Sequence, residues 1–443
     1  MRLRQRLSQT YDWYRRYIYS FVTFRRLPPK IASHAPRYLH SLIVQPPRPT
    51  HLPFDLQIEV TNTCNLRCIM CYGAMPMPPA QHLRFDAFRN IVDQVPNLYR
   101  VVPQGTGEPL LNPDLLDIVD YASDRGCAID FHTNAMLLTP ERSAHLIDSG
   151  LSALTISIDG ATAETFEKIR PRSNFARIIQ NLETFRDLKR ARGARFPQLR
   201  FHVVVMKPNL AEIADILHLA KRLDVEMVLL SPIYAAAPSM LPLTLSPEEW
   251  RGLAPLEELG RSLGISVHFT IREIEEMSSA PVGLIWPTDA KPTTTTTSPI
   301  TLQSSPPAPE LACAPASAPA ETQPAPPPID DDAPQSTSHP RRRAPCRFPW
   351  TSTYILANGD VHPCCASMAS GGYKLGNVFE NNFRDIWWGE GYQAFRRQLT
   401  DASAPWPDPC AVCPLVGKLA SKNAAGKKAH DSGSSKLPSP SLG

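Results

Sequence analysis

The sequence predicts an α/β protein whose core is a parallel sheet flanked by helices. Two observations support this prediction. Six short apolar segments with the character of strands lie between residues 55 and 231, and each is followed by a helix or a helical stretch. Residues that start or end helices separate these segments, as Thr139 and Gly150 do around one predicted helix. A repeated strand–helix order forms a parallel sheet that is open or curled into part of a barrel.

The elements follow one another regularly along the chain. The first strand is predicted at 55–61, "DLQIEVT", and the helix predicted at 84–95 has apolar residues at helical spacing. The other strands are predicted at 98–104, 127–133, 151–159, 199–205 and 225–230, the other helices at 113–123, 140–150, 162–192 and 211–223, and one more helix with a short strand at 246–276. Sheets of this kind bind ligands at the carboxyl ends of their strands.

The composition narrows the class of protein. A chain of 443 residues with 42% hydrophobic residues is long enough for two or three domains. The net charge of +4 is small, so we expect no nucleic-acid partner. The apolar runs are too short to span a membrane, and the arginine-flanked "FVTF" is too short for a secretory signal, so we expect a cytoplasmic location. Clustered cysteines there are metal ligands or catalysts more often than disulfides.

Changes in composition predict five regions. Residues 1–50 are a basic extension, expected to form a solvated helix that caps the next domain; the alternative is an amphipathic helix on anionic lipid or a partner. Residues 51–285 are the α/β domain. Residues 286–345 form a Pro/Thr/Ala-rich linker and residues 418–443 a tail, and both lack the apolar residues that ordered structure needs. Residues 346–417 are a small cysteine-rich α+β domain.

Three cysteines, Cys64, Cys68 and Cys71, follow the first predicted strand directly. They therefore lie on the loop at the carboxyl end of that strand. A tetrahedral zinc site needs a fourth ligand, usually from a second cysteine pair, and no second pair is nearby in the sequence. A cube of four irons and four sulfides also has four positions for ligands. Three thiols would leave one iron open to bind another molecule.

The spacing Cys64-x3-Cys68-x2-Cys71, followed by the aromatic Tyr72, resembles the motif of radical S-adenosylmethionine (SAM) enzymes. Three further segments resemble motifs of that family, in the same order and at successive predicted strand ends. They are "GTGEP" at 105–109, "TNAMLL" at 133–138 and "SIDG" at 157–160. The resemblance covers about 55–231 and implies a partial (β/α)6 barrel of parallel strands.

The resemblance also implies cofactors and site residues. Cys64, Cys68 and Cys71 would bind a [4Fe–4S] cluster whose open iron binds SAM. Reductive cleavage of SAM would give a 5′-deoxyadenosyl radical that abstracts a substrate hydrogen. The residues expected to contact SAM are Tyr72, Gly105, Gly107, Glu108, Asn134, Ser157, Asp159 and Arg170.

Some of these assignments carry a physical reason or an alternative. Glu108 would accept a charge-assisted hydrogen bond from the methionine amine. Arg170 would bind the methionine carboxylate, and the alternative is a solvent-exposed arginine at a helix end. Thr106 and Ala135 stand where glycine is common in the family. His132 is a weaker candidate for a catalytic base than for a packed polar residue.

A second set of cysteines, Cys346, Cys364, Cys410 and Cys413, lies in the last predicted domain. "ANGD" predicts a hairpin turn with Gly359 at a positive φ, and residues 383–398 are predicted as one helix before the CxxC pair. This pattern resembles the SPASM extension of radical SAM enzymes in its shortened "twitch" form. The resemblance implies an auxiliary [4Fe–4S] cluster with these four ligands; the alternative is a structural zinc site.

The remaining cysteines have smaller expected roles. Cys365 is a spare thiol beside Cys364 that substitutes for it or packs. Cys127, inside a strand, and Cys313, in the linker, are expected to be bystanders.

Together these features predict a radical SAM iron–sulfur oxidoreductase that passes an electron to its auxiliary cluster. A small polyol or carbohydrate-like substrate is favoured, because twitch enzymes that oxidise an aminocyclitol have this layout. The alternatives are a maturase of ribosomal peptides and a non-catalytic iron–sulfur scaffold or electron-transfer protein. A reducing partner such as flavodoxin or ferredoxin is expected in the catalytic case.

Overall fold

The structure is a computed structural model that describes residues 29–71, 79–233, 238–270, 342, 344, 346–365, 367, 373–411 and 413. Tyr72, Cys313, the tail and most of the basic extension and linker lie outside the described residues. No described helix is long and apolar enough to cross a membrane.

One ten-stranded sheet forms the core of the described residues, with strand order β10-β9-β8-β1-β2-β3-β4-β5-β6-β7. The strands are β1 (Asp55–Ile58), β2 (Arg100–Pro103), β3 (Ala128–Thr133), β4 (Ala153–Ser157), β5 (Gln198–Val205), β6 (Met227–Pro232), β7 (Ser266–Phe269), β8 (Ser352–Ile355), β9 (Asp360–His362) and β10 (Gly376–Asn377). Strands β1 to β7 are all parallel, as predicted. The fold is therefore α/β with the parallel sheet of a partial barrel.

Helices follow most of the parallel strands, and further helices precede β1 and β8 and follow β10. They are α1 (Pro29–Val44), α2 (Phe85–Asp93), α3 (Leu115–Asp124), α4 (Pro140–Asp148), α5 (Ala163–Ile169), α6 (Phe175–Ala191), α7 (Ile213–Arg222), α8 (Pro247–Arg251), α9 (Leu256–Leu263), α10 (Phe348–Thr351), α11 (Phe383–Trp388), α12 (Glu390–Thr400) and α13 (Asp408–Ala411). The segment predicted as a single helix at 383–398 is two helices, because the backbone is extended at Gly389.

Side chains alternate between the two faces of the strands. In β1, Leu56 and Ile58 are fully buried against the helices, where they join the main hydrophobic cluster. Asp55 and Gln57 point to the opposite face and line a polar cavity. Arg100 in this cavity forms ion pairs with Asp55 and Asp130. The inner face of the barrel is therefore polar, and its charges are paired.

The cysteine-rich region is continuous with the barrel sheet. The sequence predicts a small α+β domain here, and its strand β8 pairs in parallel with β1, register Asp55 to Ser352. Strand β9 then returns antiparallel to β8 through the turn at Gly359, whose φ of 85° agrees with the prediction. The hairpin thus extends the sheet beyond β1 and lies directly beside the first βα loop.

Three tryptophans attach the C-terminal helices to the chain segment before β1. The indole nitrogens of Trp350, Trp387 and Trp388 donate hydrogen bonds to the carbonyls of Pro46, His51 and Pro49, respectively. Buried indoles pack a large apolar area while satisfying their single donor, so these contacts favour one relative position of the two segments.

His51 fixes helix α1 to this segment. Its ring hydrogen-bonds to Ser41 Oγ at 2.8 Å and to the Leu52 carbonyl oxygen at 2.9 Å, and it packs edge-on against Tyr38. Burial lowers the pKa of His51 to about 4. The folded protein therefore keeps this imidazole neutral.

We expect His51 to make the protein sensitive to acid. Between pH 6.5 and about 4 the unfolded chain binds a proton at His51 that the folded chain does not, so stability falls as the pH falls through this window. The loss approaches about 1.4 kcal/mol per pH unit. Urea unfolding of the wild type and of His51→Gln across this window tests it, and the variant should show a flatter pH dependence. Equal slopes would contradict the assignment.

Candidate active site

The three-cysteine loop leaves β1 and packs against the end of α5. Its backbone is held by two hydrogen bonds, from Arg67 N to the Pro171 carbonyl at 3.1 Å and from Ile69 N to the Ile169 carbonyl at 3.0 Å. Cys68 is buried, and Cys64 and Cys71 are half-buried. The structure therefore brings the three predicted thiols together on one fixed loop at the carboxyl end of β1.

The environment of these thiols suits an iron–sulfur cluster. Burial raises the pKa of the Cys68 thiol to about 11 and also raises the pKa of Cys64. Both thiols lie close enough to Cys71 to interact with it electrostatically. Buried thiols of this kind lose their protons on binding a metal. No group of three or more His, Cys, Asp or Glu side chains among the described residues is arranged around a single-ion site. A four-iron cluster binds each thiolate through a different iron, so its ligands do not have to surround a single ion.

Glu108 lies in the loop that follows β2 and is almost completely buried. Its carboxylate accepts hydrogen bonds from Thr133 Oγ1 at 2.6 Å and from the Asn134 amide at 2.8 Å. Burial raises the pKa of Glu108, and these hydrogen bonds oppose that effect. The segments "GTGEP" and "TN" are thus joined, and the position of Glu108 is fixed by the neighbouring strand.

Gly107 brings the "GTGEP" loop into direct contact with the cysteine loop. Its amide donates to the Thr61 carbonyl at 3.2 Å, and the Glu108 amide donates to the Thr63 carbonyl at 2.8 Å. A Cβ atom at Gly107 would lie 2.5 Å from each of these two carbonyl oxygens. Only glycine permits this approach of two backbones.

Gly107→Ala should therefore displace the loop. We expect the concentration of SAM that half-saturates the reconstituted enzyme to rise by about tenfold or more, because the alanine methyl group collides with backbone rather than with a movable side chain. Gly391→Ala is the control, since a Cβ there makes only ordinary contacts of 3.5 Å or more. An unchanged half-saturation in Gly107→Ala would contradict this role of the loop.

Asn134 and Ala135 directly follow β3 and lie next to the cysteine loop. Asn134 Nδ2 donates to Asn65 Oδ1 at 2.8 Å, and Asn65 lies between the first two cysteines. Ala135 has a φ of 59°, in the left-handed region that favours glycine. This backbone explains why glycine suits the position, and the alanine here adopts it at a cost of about 1 kcal/mol.

Asp159 and Arg170 are both buried and form an ion pair with each other. Asp159 is fully buried, and its carboxylate binds Arg170 at 2.6 Å and the Val204 amide at 2.8 Å, so it has no exposed oxygen to offer SAM. Arg170 is buried, which excludes the alternative of a solvent-exposed arginine. Its Nη1 lies 3.6 Å from Cys68 Sγ. Ser157, at the end of β4, is half-buried.

The second set of thiols also comes together. Cys346, Cys410 and Cys413 belong to a cluster built around Trp350, Phe395 and Leu399, and Cys364 is close enough to Cys346 and Cys410 to interact electrostatically with both. Burial raises the pKa of Cys346 to about 12 and also raises that of Cys364 and Cys410. Cys365 is exposed but faces the same group. Four thiols on a hydrophobic support fit a cluster with every iron ligated.

A cavity lies between the inner face of the barrel and the hairpin region that carries Cys364. It has a volume of about 200 Å³ and is lined by strand residues such as Gln57, Gln104 and His132 and by Tyr354, Cys364 and Cys365 of the hairpin region. Burial lowers the pKa of His132 to about 3, so its ring is neutral. His132 stacks edge-on against His202, as expected for a packed polar residue. Cys127 is buried in a different place, against the Leu98 carbonyl.

Sequence reasoning missed Glu59 and Asn65. Both belong to the connection between β1 and the cysteines, and both hydrogen-bond to the loops that follow β2 and β3. A signal was present in "DLQIEVT", where Asp55, Gln57 and Glu59 place polar groups at every second position. This alternation marks the strand face that points into the barrel.

Comparison with known proteins identifies the family. Residues 58–223 match the radical SAM superfamily, and residues 346–414 match the iron–sulfur cluster-binding domain SPASM. The chain belongs to the radical SAM superfamily. It is a radical SAM enzyme with a C-terminal SPASM domain, so a [4Fe–4S] cluster and SAM are its cofactors and the SPASM region provides for auxiliary iron–sulfur binding.

Several curated proteins are similar to the barrel region. The AdoMet-dependent heme synthase of Methanosarcina barkeri is 36% identical over 177 residues, 39% of this chain and 49% of that protein. Mycofactocin maturase MftC of Mycobacterium ulcerans is 32% identical over 38% of this chain and 45% of that protein. The PqqA peptide cyclase of Bradyrhizobium diazoefficiens is 28% identical over 40% of this chain and 45% of that protein. The chain therefore matches about half the length of these relatives.

A solved structure shares the fold over most of the chain. Streptococcus suis SuiB bound to the precursor peptide SuiA superposes with a TM-score of 0.56 at 14% identity, covering 88% of this chain and 76% of that chain. At this identity the similarity shows the fold alone.

Proposed function

We propose that this radical SAM enzyme removes a hydrogen atom from a peptide substrate and completes an oxidation with the help of an auxiliary cluster. The observation that carries the proposal is the pairing of β8 with β1, which sets a three-thiol loop and a four-thiol group on neighbouring parts of one sheet. The three-thiol loop suits a cluster that binds SAM, and the four-thiol group suits a cluster that transfers electrons.

We infer that Cys64, Cys68 and Cys71 hold the first cluster and that the loop 105–109 holds SAM. When bound, the cluster and SAM supply the 5′-deoxyadenosyl radical that abstracts the substrate hydrogen. Glu108, held by Thr133 at the end of β3, would accept a hydrogen bond from the methionine amine of SAM. Gly105, Asn134, Ser157 and Tyr72 remain proposed contacts of SAM.

Arg170 has a different proposed role from Asp159. Asp159 binds Nε of Arg170 at 2.8 Å and so fixes the guanidinium beside Cys68. Nε and Nη2 of the guanidinium bind Asp159, and Nη1 points toward Cys68 of the cysteine loop. We therefore assign Asp159 to positioning and Arg170 to balancing negative charge at the cysteine loop and the methionine carboxylate.

We infer that Cys346, Cys364, Cys410 and Cys413 hold one auxiliary cluster. Four thiolates occupy all four irons of a cubane, so this set suits electron transfer better than substrate binding. Cys410 is buried and Cys346 is half-buried against the same hydrophobic cluster, which limits the contact of these two thiols with water. A structural zinc site remains the competing assignment of the same residues.

A peptide replaces the polyol as the favoured substrate. One curated relative is a peptide cyclase, another is a maturase, and the structurally similar SuiB was solved with a precursor peptide. The cavity of about 200 Å³ is large enough for one side chain, since about 150 Å³ suffices for benzene. A small cyclitol would fit the same volume, so the relatives rather than the cavity favour the peptide.

The test begins with anaerobically reconstituted protein, SAM and either dithionite or reduced flavodoxin. Formation of 5′-deoxyadenosine and methionine is expected; their absence would leave only the iron–sulfur scaffold. About eight irons per chain would fit two cubanes, and about four irons with one zinc would fit the zinc assignment. Deuterated candidate peptides and polyols then identify the substrate class, because only the true substrate transfers deuterium to 5′-deoxyadenosine.

A further inference from the structure

Glu59 is a buried carboxylate that the proposed mechanism does not use. It directly follows β1, and only 4% of the residue is exposed. Its Oε1 accepts hydrogen bonds from the Thr106 amide at 2.9 Å and from Thr106 Oγ1 at 2.7 Å. Gly105 lies against its side chain so closely that a Cβ there would be 2.2 Å from Cγ of Glu59. One oxygen of Glu59 therefore holds the loop proposed to bind SAM.

The other side of Glu59 faces the auxiliary hairpin. Oε2 accepts a hydrogen bond from the Ala357 amide at 3.3 Å. The buried Tyr354 side chain lies close enough to the carboxylate for Glu59 to contribute to its raised pKa. The Glu59 amide donates to the Ile355 carbonyl at 2.7 Å. Tyr354 in turn lines the cavity that reaches Cys364 and Cys365. A single side chain thus joins the "GTGEP" loop to the strand and turn that lead to the auxiliary thiols.

We propose that Glu59 is a positioning residue through which the docked auxiliary hairpin sets the affinity of the enzyme for SAM. This inference rests on the proposed role of the loop 105–109 in holding SAM. A carboxylate is suited to the task because it accepts on both oxygens and donates on neither. Glutamine at this position would turn an NH2 group toward donors on one side, so that side would lose its hydrogen bonds.

The experiment compares four full-length, anaerobically reconstituted proteins: the wild type, Glu59→Gln, Tyr354→Phe and Glu226→Gln. Glu226 is the control because it forms a surface ion pair with Lys189. Iron is counted first, and SAM is then titrated against the EPR spectrum of the reduced protein. We expect full iron content throughout, with the half-saturating SAM concentration raised about tenfold in Glu59→Gln, less in Tyr354→Phe and not in the control.

Two further readouts separate positioning from a general loss of structure. The KM for SAM should rise in Glu59→Gln while kcat at saturating SAM stays near that of the wild type. Hydrogen exchange at the Thr106 amide should be faster in the variant before any cofactor is added. Tyr354→Phe keeps the Glu59 carboxylate. The SAM titration of this variant therefore still tests the inference if Glu59→Gln fails to bind iron.

The outcomes are distinguishable. Wild-type half-saturation in both variants, with unchanged exchange at Thr106, would overturn this inference and leave the proposed function intact. A wild-type spectrum that does not respond to SAM would overturn the proposed function itself.

Discussion

Cys68→Ala is expected to form no detectable 5′-deoxyadenosine from SAM and dithionite. Cys68 is the most buried of the three loop thiols, and Arg170, fixed by Asp159, is directed at its sulfur. Its removal leaves two thiols for a cluster that needs three protein ligands in order to keep one iron open. The measurement is chromatographic detection of 5′-deoxyadenosine, together with the iron content of the variant.

Cys127→Ala is the matched control for this prediction. Cys127 is also a buried thiol, but it contacts the Leu98 carbonyl and lies outside both thiol groups. Its variant should keep the iron content and the SAM cleavage of the wild type, apart from a small loss of stability. Cleavage by Cys68→Ala at a rate near that of the wild type would show that the loop does not hold the cluster.

Cys410→Ala should separate SAM cleavage from product formation. Cys410 packs against Phe395 and Leu399 of α12, in a hydrophobic cluster that contains none of the three loop cysteines. An alanine fits this apolar site, so the fold and the first cluster should persist while about four irons are lost. We expect 5′-deoxyadenosine to form with no oxidised product, measured by mass spectrometry of the substrate.

The exposed thiol Cys365 supplies the control for Cys410. It stands next to Cys364 but does not belong to the hydrophobic cluster, and Cys365→Ala should keep both cleavage and product formation. Loss of cleavage in Cys410→Ala, with a lower temperature of unfolding, would mean that the second thiol group supports the barrel. The second thiol group could support the barrel in this way because β8 pairs with β1 in the same sheet.

The sequence was sufficient for features that depend on local order. The six strands, the cysteine loop and the segments after β2, β3 and β4 appear where periodicity and motifs place them, since each is defined by a short run of residues. The positive φ of Gly359 was predictable for the same reason. Local chemistry and local geometry coincide at these positions.

Features that depend on distant partners were not predictable. Asp159 reads as a polar group available to SAM, but burial and the pairing with Arg170 remove it from that role. The sequence around Glu59 does not indicate its hydrogen bond with the Ala357 amide, because Ala357 is 298 residues further along the chain. The addition of β8 to the barrel sheet could not be inferred from the hairpin pattern alone, since an edge strand carries no mark of the strand that accepts it.

The parallel ladder between β1 and β8 also bears on how the protein matures. Strand β1 can pair with β8 only after the ribosome has made residues 352–355. Until then, one backbone edge of β1 has no strand beside it in the nascent chain. Contacts between such remote segments form slowly. Chaperones and the cellular machinery that inserts iron and sulfide would therefore meet an incompletely closed protein, and mutations that weaken this late pairing should first appear as aggregation during expression.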